Sequence, residues 1–176
     1  MSPRAGTPRR STSSVRPSRA NTRAATSKDT LPARLDAILA DLLIETTASR
    51  TTLRLDSPEH GFHVDDVAAE ALAAGEKSLR GQTSINQRAA ATAQWIERHR
   101  RLLVQGDLAA AEPRPPAALV RLYGVKAQML APIVRHGQLD GWVSVHEGRA
   151  ARRWTRRDQT AVTRAVAQIL SELDEA

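Results

Sequence analysis

The stretch QMLAPIVRHGQLDGWVSVH, residues 128–146, decides the fold. Two runs rich in branched apolar residues flank a polar break at His136-Gly137-Gln138. This pattern is typical of two antiparallel strands joined by a tight turn. The stretch therefore predicts a β-hairpin.

The second arm of this hairpin has two different faces, because side chains on a strand alternate from one face to the other. Val143 and Val145 share one face, which is predicted to pack in the core. Trp142, Ser144 and His146 share the other face. An indole, a hydroxyl and an imidazole among apolar neighbours could line a small-molecule pocket, since such pockets are mostly apolar with a few polar groups.

Helices are predicted at both ends of the folded region. Apolar residues recur at helical spacing from Leu31 to Leu43, which predicts an amphipathic helix ending near Thr47. Thr155, with Asp158 three residues later, is predicted to cap a last helix. The two apolar faces would pack side by side over one face of the sheet, and any surplus apolar surface would form a homodimer interface.

The middle of the chain predicts further strands and short helices. Residues 51–56 alternate as a strand, with Leu53 and Leu55 on the core face and Arg54 on the other. A second strand is predicted within 62–74, and a third at 102–104. Ser84 to Gln87 has the spacing of a capping box, which predicts a following helix that contains Trp95. A brief helix opens at 115–116 and stops at Gly124.

The positive charge lies in the first residues. The formal net charge is +7, from 26 Lys and Arg and 19 Asp and Glu, and seven basic residues precede the first acid, Asp29. Residues 1–28 are predicted to be a disordered basic tail, either solvated or bound to nucleic acid or another anionic partner. Residues 29–176 would form a single domain that is neutral overall, which does not favour nucleic-acid binding by the domain itself.

Several chemistries are excluded by composition. The chain has no cysteine, so disulfides, thiolate metal sites and cysteine nucleophiles are excluded. His60 and His63, near Asp65 and Asp66, lack the partner residues of a metal site, so no metal is expected. No signal-peptide core or membrane span is expected, which predicts a cytoplasmic protein, and the Arg- and Ala-rich composition favours a bacterial origin over an organelle transit peptide.

The order of these segments resembles a GAF domain, a small-molecule sensing module related to PAS domains. The residues that carry the resemblance are Arg50-Thr51-Thr52-Leu53-Arg54-Leu55, the two arms 129–134 and 141–146, and Trp154-Thr155-Arg156-Arg157-Asp158. The resemblance covers about residues 31–173. It implies an α+β fold with an antiparallel sheet of about six strands, the terminal helices on one face and a ligand pocket on the other under the middle helices.

The resemblance also bears on cofactors. Cyclic-nucleotide-binding members of the family carry an Asn-Lys dipeptide that this chain lacks. Bilin attachment and the methionine-sulfoxide reductase branch commonly use cysteine, so both are expected to be excluded, and no cofactor is predicted.

Seven residues are candidates for ligand binding, although each has a structural alternative. Trp142, Ser144 and His146 could form a buried polar cluster whose hydrogen bonds are made by neighbouring groups. Arg54 could lie at the surface, and Trp95 could serve only to pack the core. Ser144 and His146 are too far apart along the strand to act as nucleophile and base. The candidates are Arg54, Trp95, Tyr123, Gln128, Trp142, Ser144 and His146.

Two functions follow from these observations. The first is a non-catalytic sensory domain that binds a small molecule and signals through dimerisation or a partner protein. The alternative is a protein interaction module with a vestigial pocket, whose Arg-rich tail tethers it to nucleic acid or another anionic partner. Catalysis is not expected.

Overall fold

The structure is a computed structural model that describes residues 30–82 and 86–176. The predicted tail at residues 1–28 and the cap predicted at Ser84 lie outside the described residues.

Four helices and five strands make up the described part of the chain. The strands form one antiparallel sheet in the order β2-β1-β5-β4-β3. This confirms the predicted α+β class, with five strands described where about six were expected. In chain order the elements are α1 (Leu31–Thr46), β1 (Arg50–Leu55), β2 (Ala69–Leu72), α2 (Ala91–His99), β3 (Leu103–Gln105), α3 (Ala117–Arg121), β4 (Ala127–Arg135), β5 (Gln138–Glu147) and α4 (Arg156–Glu175).

The predicted hairpin is formed by β4 and β5. Arg135 pairs with Gln138, so the turn contains only His136 and Gly137, and Gln138 already belongs to β5. Both turn residues have positive φ, 50° and 76°, as a two-residue hairpin turn of the I′ type requires. Because β5 also pairs with β1, this hairpin contributes the central strand of the sheet.

The terminal helices cover one face of the sheet. Leu35, Leu39 and Leu42 of α1 and Val162 and Ile169 of α4 are buried against it. The core also contains Val143, Val145, Leu53 and Leu55, which confirms the predicted inward faces of β5 and β1. The predicted cap of the last helix is present, because the Thr155 hydroxyl accepts from the Asp158 backbone N–H at 3.1 Å and the Asp158 carboxylate accepts from the Thr155 N–H at 2.8 Å.

The opposite face carries a smaller apolar cluster under α2. Ala93 and Ile96 pack there with Leu130, Leu139 and Trp142. The face is therefore only partly filled by apolar side chains, and this is where the predicted pocket face of β5 lies.

The strand predicted within 62–74 is shorter than expected. Only Ala69–Leu72 forms β2, where it pairs with residues 50–53 of β1. Val64 lies in a turn and donates its N–H to the Asp56 carboxylate at 2.7 Å. Val64 and Val67 are buried, but they belong to a loop. Their β-branched side chains are the reason that the sequence predicted a strand here.

None of the helices in the described residues is both long enough and apolar enough to cross a membrane.

Candidate functional site

A cavity of about 90 Å³ lies on the face of the sheet opposite α1 and α4. Its floor comes from β1, β5 and β4, which contribute alternate residues because strand side chains project with a period of two. Its described cover comes from residues 79–82 and 87–93 and from α3 with its flanking residues. The described lining residues are Thr52, Arg54, Leu79, Gln82, Gln87, Ala90, Thr92, Ala93, Pro116, Ala118, Leu119, Leu122, Tyr123, Gln128, Leu130, Trp142, Ser144 and His146.

His146 is the most unusual side chain in this cavity. It is 3% exposed, and its Nδ1 is buried with no hydrogen-bond partner among residues 30–82 and 86–176. Burial, and secondly the charges of Arg50 and Arg54, lower the pKa of His146 to about 3. The imidazole is therefore neutral near pH 7. An unpaired buried polar atom is costly, so its presence in a cavity indicates a place for a ligand atom.

Arg54 brings a positive charge to the same cavity. It is buried at 6% exposure, and its Nη1 donates to the backbone carbonyls of Val64 at 3.2 Å and Asp65 at 2.8 Å. Burial lowers the pKa of Arg54, although Asp66 and Asp65 oppose the shift. Arginine nevertheless stays protonated in proteins. Among the described acids none forms an ion pair with Arg54, and its hydrogen bonds to described residues go to backbone carbonyls only.

Two hydroxyl groups lie between these residues. Thr52 of β1 pairs with Ser144 of β5 across the strands, and both line the cavity. Residues directly opposite on antiparallel strands have their Cβ atoms about 5 Å apart. The pair therefore offers two adjacent groups that can donate or accept hydrogen bonds in the middle of the floor.

Gln128 connects the cavity to the loop before α3. Its Nε2 donates to Gln105 Oε1 at 2.6 Å, and Gln105 Nε2 donates to the Pro113 carbonyl at 2.7 Å. Gln128 is 1% exposed. This chain of amides fixes the orientation of the Gln128 side chain, since its donor group is committed to Gln105 and its carbonyl oxygen remains available.

Arg50 supports the cavity wall, and the sequence interpretation missed it. Arg50 is 1% exposed and lies 3.1 Å from Glu76 and 3.9 Å from Glu70. It also donates to the Lys77 carbonyl at 2.7 Å, and its guanidinium lies 5.5 Å from the centre of the Tyr123 ring. Arg50 thus joins β1 to two covering segments. Its four-residue spacing from Arg54 placed both on one strand face, which was the available sequence signal.

The structure brings six of the seven candidate residues together. Trp95 is the exception, because it is not among the described residues that line the cavity. Its ring stacks on His99, with centroids 4.3 Å apart, and lies under Arg101 at 5.3 Å. The reason is the direction of α2, which turns Thr92, Ala93 and Ile96 inward and leaves Trp95 at the side of the helix. Trp95 therefore packs on its own helix and the segment that follows it.

The family model that matches this chain is that of the GAF domain, and the match covers residues 30–173. The chain belongs to the GAF domain family. This confirms the resemblance drawn from residues 50–55, from the hairpin and from the start of α4. A comparison with curated proteins gave no match.

Solved GAF domains share the fold of this one at low sequence identity, which shows the fold alone. The blue-light-absorbing form of the PixJ GAF domain from Thermosynechococcus elongatus has a TM-score of 0.67 and 19% identity, and the match covers 86% of this chain and 91% of that one. The phycocyanobilin-bound GAF domain of a cyanobacterial phytochrome has a TM-score of 0.64 and 18% identity, covering 83% and 85%. The far-red-absorbing dark state of JSC1_58120g3 with bound biliverdin IXα has a TM-score of 0.62 and 15% identity, covering 84% and 91%.

The prediction that this GAF domain takes no cofactor, with bilins excluded by the lack of cysteine, is wrong. Two of the similar solved GAF domains hold bilins. The absence of cysteine excludes only a covalent thioether bond between protein and bilin. Non-covalent binding of a bilin is compatible with the sequence.

Proposed function

We propose that this GAF domain is a non-catalytic sensory domain that binds a small molecule reversibly in the cavity on the β1–β5–β4 face. The observation that carries the proposal is the buried imidazole of His146, which lines the cavity and has no partner at Nδ1. Binding would offset the cost of this unpaired group. The ligand-binding set is Arg54, Tyr123, Gln128, Trp142, Ser144 and His146.

The proposed output runs through the terminal helices. Glu147 follows His146 on β5, and its carboxylate accepts from Ser49 at 3.1 Å and from Arg149 at 2.6 Å. Arg149 also donates to the Thr47 carbonyl at the end of α1, and Arg152 joins the Thr46 carbonyl to Asp158 in the first turn of α4. A shift of β5 on ligand binding would therefore reach the ends of both helices.

A homodimer or a partner protein would receive this signal. Ile44 on α1 is 74% exposed and would be the residue of this helix to probe for such a contact. The prediction of a cytoplasmic protein stays a prediction.

Bilins are the first ligands to test, because two of the similar solved domains contain them. The cavity of about 90 Å³ is smaller than the roughly 300–1,000 Å³ of most ligand pockets. A four-ring bilin would therefore require the cover of the cavity to move outward. Binding without cysteine would be non-covalent, and the bilin would be released on denaturation.

Thermal unfolding with a metabolite library that includes biliverdin and phycocyanobilin tests the proposal. A ligand at about 100 times its Kd stabilises the folded state by about 2.7 kcal/mol, which raises Tm by roughly 5–10 °C in a domain of this size. We expect the shift to be lost in His146→Ala and kept in Gln138→Ala, at the exposed hairpin end. A library without a single stabilising compound would contradict a sensory role for the cavity.

The alternative, an interaction module with an anionic partner, is supported by one specific observation. Arg98, Arg100 and Arg101 are exposed at the end of α2, and none of the described acids forms an ion pair with them. Salt-dependent binding to nucleic acid that is lost on deleting residues 1–28, or in an Arg98, Arg100 and Arg101→Gln variant, would favour this role. An affinity unchanged by both alterations would eliminate it.

A further inference from the structure

We infer that the ligand of the cavity is a small organic monocarboxylate whose carboxylate group binds Arg54. This inference rests on the proposed sensory function, and it adds the chemical class of the ligand. It is carried by the charge of the cavity, by the free edge of one guanidinium and by the size of the space.

Charge favours an anion. Arg54 is the only described lining residue with a formal charge near pH 7, because the low pKa of His146 keeps its imidazole neutral. Asp65 and Asp66 lie nearby but are exposed to solvent and do not form ion pairs with it. A buried charge is costly unless it is paired. One negative charge from a ligand would compensate Arg54, whereas a dianion such as phosphate would bring an uncompensated charge into the same space.

The guanidinium geometry favours a carboxylate. Nη1 of Arg54 is occupied by the carbonyls of Val64 and Asp65. The hydrogen bonds of Arg54 to other described residues come from Nη1 alone, which leaves Nε and Nη2 without a partner there. These two groups form one edge of the planar guanidinium, and their parallel N–H bonds match the two oxygens of a carboxylate.

The start of α2 adds to the positive potential. Ala90, Thr92 and Ala93 line the cavity, and they belong to the first turn of this nine-residue helix or its cap. Backbone N–H groups at a helix start carry partial positive charge and favour anions. Ala93 belongs to the same apolar cluster as Trp142, and Trp142 pairs with Arg54 across the strands, so the helix start lies on the side of the floor that carries Arg54. The unpartnered His146 is an independent sign that this cavity receives a ligand.

The size of the cavity limits the acid to a short chain. An apolar cavity of about 150 Å³ binds benzene, with six carbons, so about 90 Å³ corresponds to roughly four non-hydrogen atoms. Apolar side chains such as Leu119, Leu130 and Trp142 surround the space. Acids of the size of acetate or propionate fit this volume and this lining.

Titration of the ¹⁵N-labelled full chain with acids and their neutral amides tests the inference. The probes are acetate and propionate, acetamide and propionamide, and inorganic phosphate at equal ionic strength. We expect propionate to cause saturable changes in the backbone N–H chemical shifts of residues around the cavity. Propionamide and phosphate should bind at least tenfold more weakly. Equal binding of acid and amide in the wild-type protein overturns the inference even if every variant fails to fold.

Three variants assign the effect to Arg54. Arg54→Met should lose acid binding, and Arg54→Lys should weaken it about tenfold because a lysine lacks the paired donors. Arg114→Met, which removes an exposed charge, should bind as the wild type does. Acid binding retained in a folded Arg54→Met protein overturns the inference.

Failure of this inference is separate from failure of the sensory proposal. If a bilin or a neutral compound binds in the cavity and short acids do not, only the monocarboxylate class is wrong. If the whole library, charged and neutral, fails to bind, both are wrong.

Discussion

His146 and Glu147 are neighbours on β5, yet their side chains belong to opposite sides of the molecule. His146 lines the cavity without a partner for its Nδ1. The Glu147 carboxylate lies at the ends of α1 and α4, where it binds Ser49, Arg149 and Arg152. One peptide unit therefore separates the candidate ligand site from the contacts that hold the terminal helices.

Glu147→Gln should destabilise the domain. Hydrogen bonds from Arg149 are the main cause that lowers the pKa of Glu147 to about 2, so the folded state favours the carboxylate. Its stabilisation is fully present above the ordinary pKa of 4.5 and is lost as pH falls toward 2. We expect a loss of about 2 kcal/mol at pH 7, measured by urea unfolding. Wild type and variant should converge in acid, and the exposed Glu97→Gln is the control.

His146 should also make folding stability depend on pH, over a higher range than Glu147 does. The folded-state pKa of about 3 lies below the ordinary value of 6.5, so the unfolded chain binds an extra proton between these values. Stability should therefore fall as pH decreases from 6.5, by about 1.4 kcal/mol per pH unit. In urea unfolding at pH 4 to 7, His146→Gln should not show this fall in the free energy of unfolding. An identical pH profile for the two proteins would show that the imidazole is not buried, and exposed His63→Gln controls for loss of a histidine.

Arg50→Met should be strongly destabilising, because it leaves the buried Glu70 side chain, 3% exposed, without its cation. Removing one partner of a buried pair costs about 3–5 kcal/mol. Adding Glu70→Gln should recover part of this loss, which a double-mutant cycle measures. Arg114→Met is the matched control, since Arg114 and Glu112 are 87% and 77% exposed and such a pair contributes under about 1 kcal/mol. Equal losses in the two arginine variants would contradict the buried network.

Gly141→Ala should disrupt the β1–β5 pairing beside Arg54. A Cβ at Gly141 would lie 2.0 Å from the Arg54 carbonyl oxygen, so the backbone would have to move, at a cost of at least about 3 kcal/mol. Gly137→Ala meets no atom within 4 Å but has φ of +76°, which costs about 1 kcal/mol. Thermal unfolding of both variants separates the effect of steric overlap at Gly141 from that of backbone conformation at Gly137. A smaller loss of stability in Gly141→Ala than in Gly137→Ala would be inconsistent with the β1–β5 register.

The sheet could be predicted from sequence because strand geometry leaves few choices. Once residues 141–146 form a strand, the period of two places Val143 and Val145 in the core and Trp142, Ser144 and His146 on the other face. The same argument placed Arg54 opposite Leu53 and Leu55. The six candidates that line the cavity all come from strands, apart from Tyr123.

Other features could not be predicted, because they depend on how loops and helices are placed in space. The direction of α2 decides that Thr92 and Ala93 line the cavity and that Trp95 does not. The extent of β2 depends on where β1 offers a free edge, which no local pattern in residues 62–74 reveals. The bilin prediction failed for a different reason, because an argument about one covalent bond was extended to non-covalent binding.

The neutral state of His146 has a consequence for how the domain would work in a cell. With a pKa of about 3, the imidazole keeps one protonation state throughout the physiological range. Ordinary changes in the pH of the surroundings would leave the charge of His146 in the cavity unchanged. Occupancy would then track the abundance of the recognised compound, and a change in acidity would not be mistaken for a metabolic fluctuation.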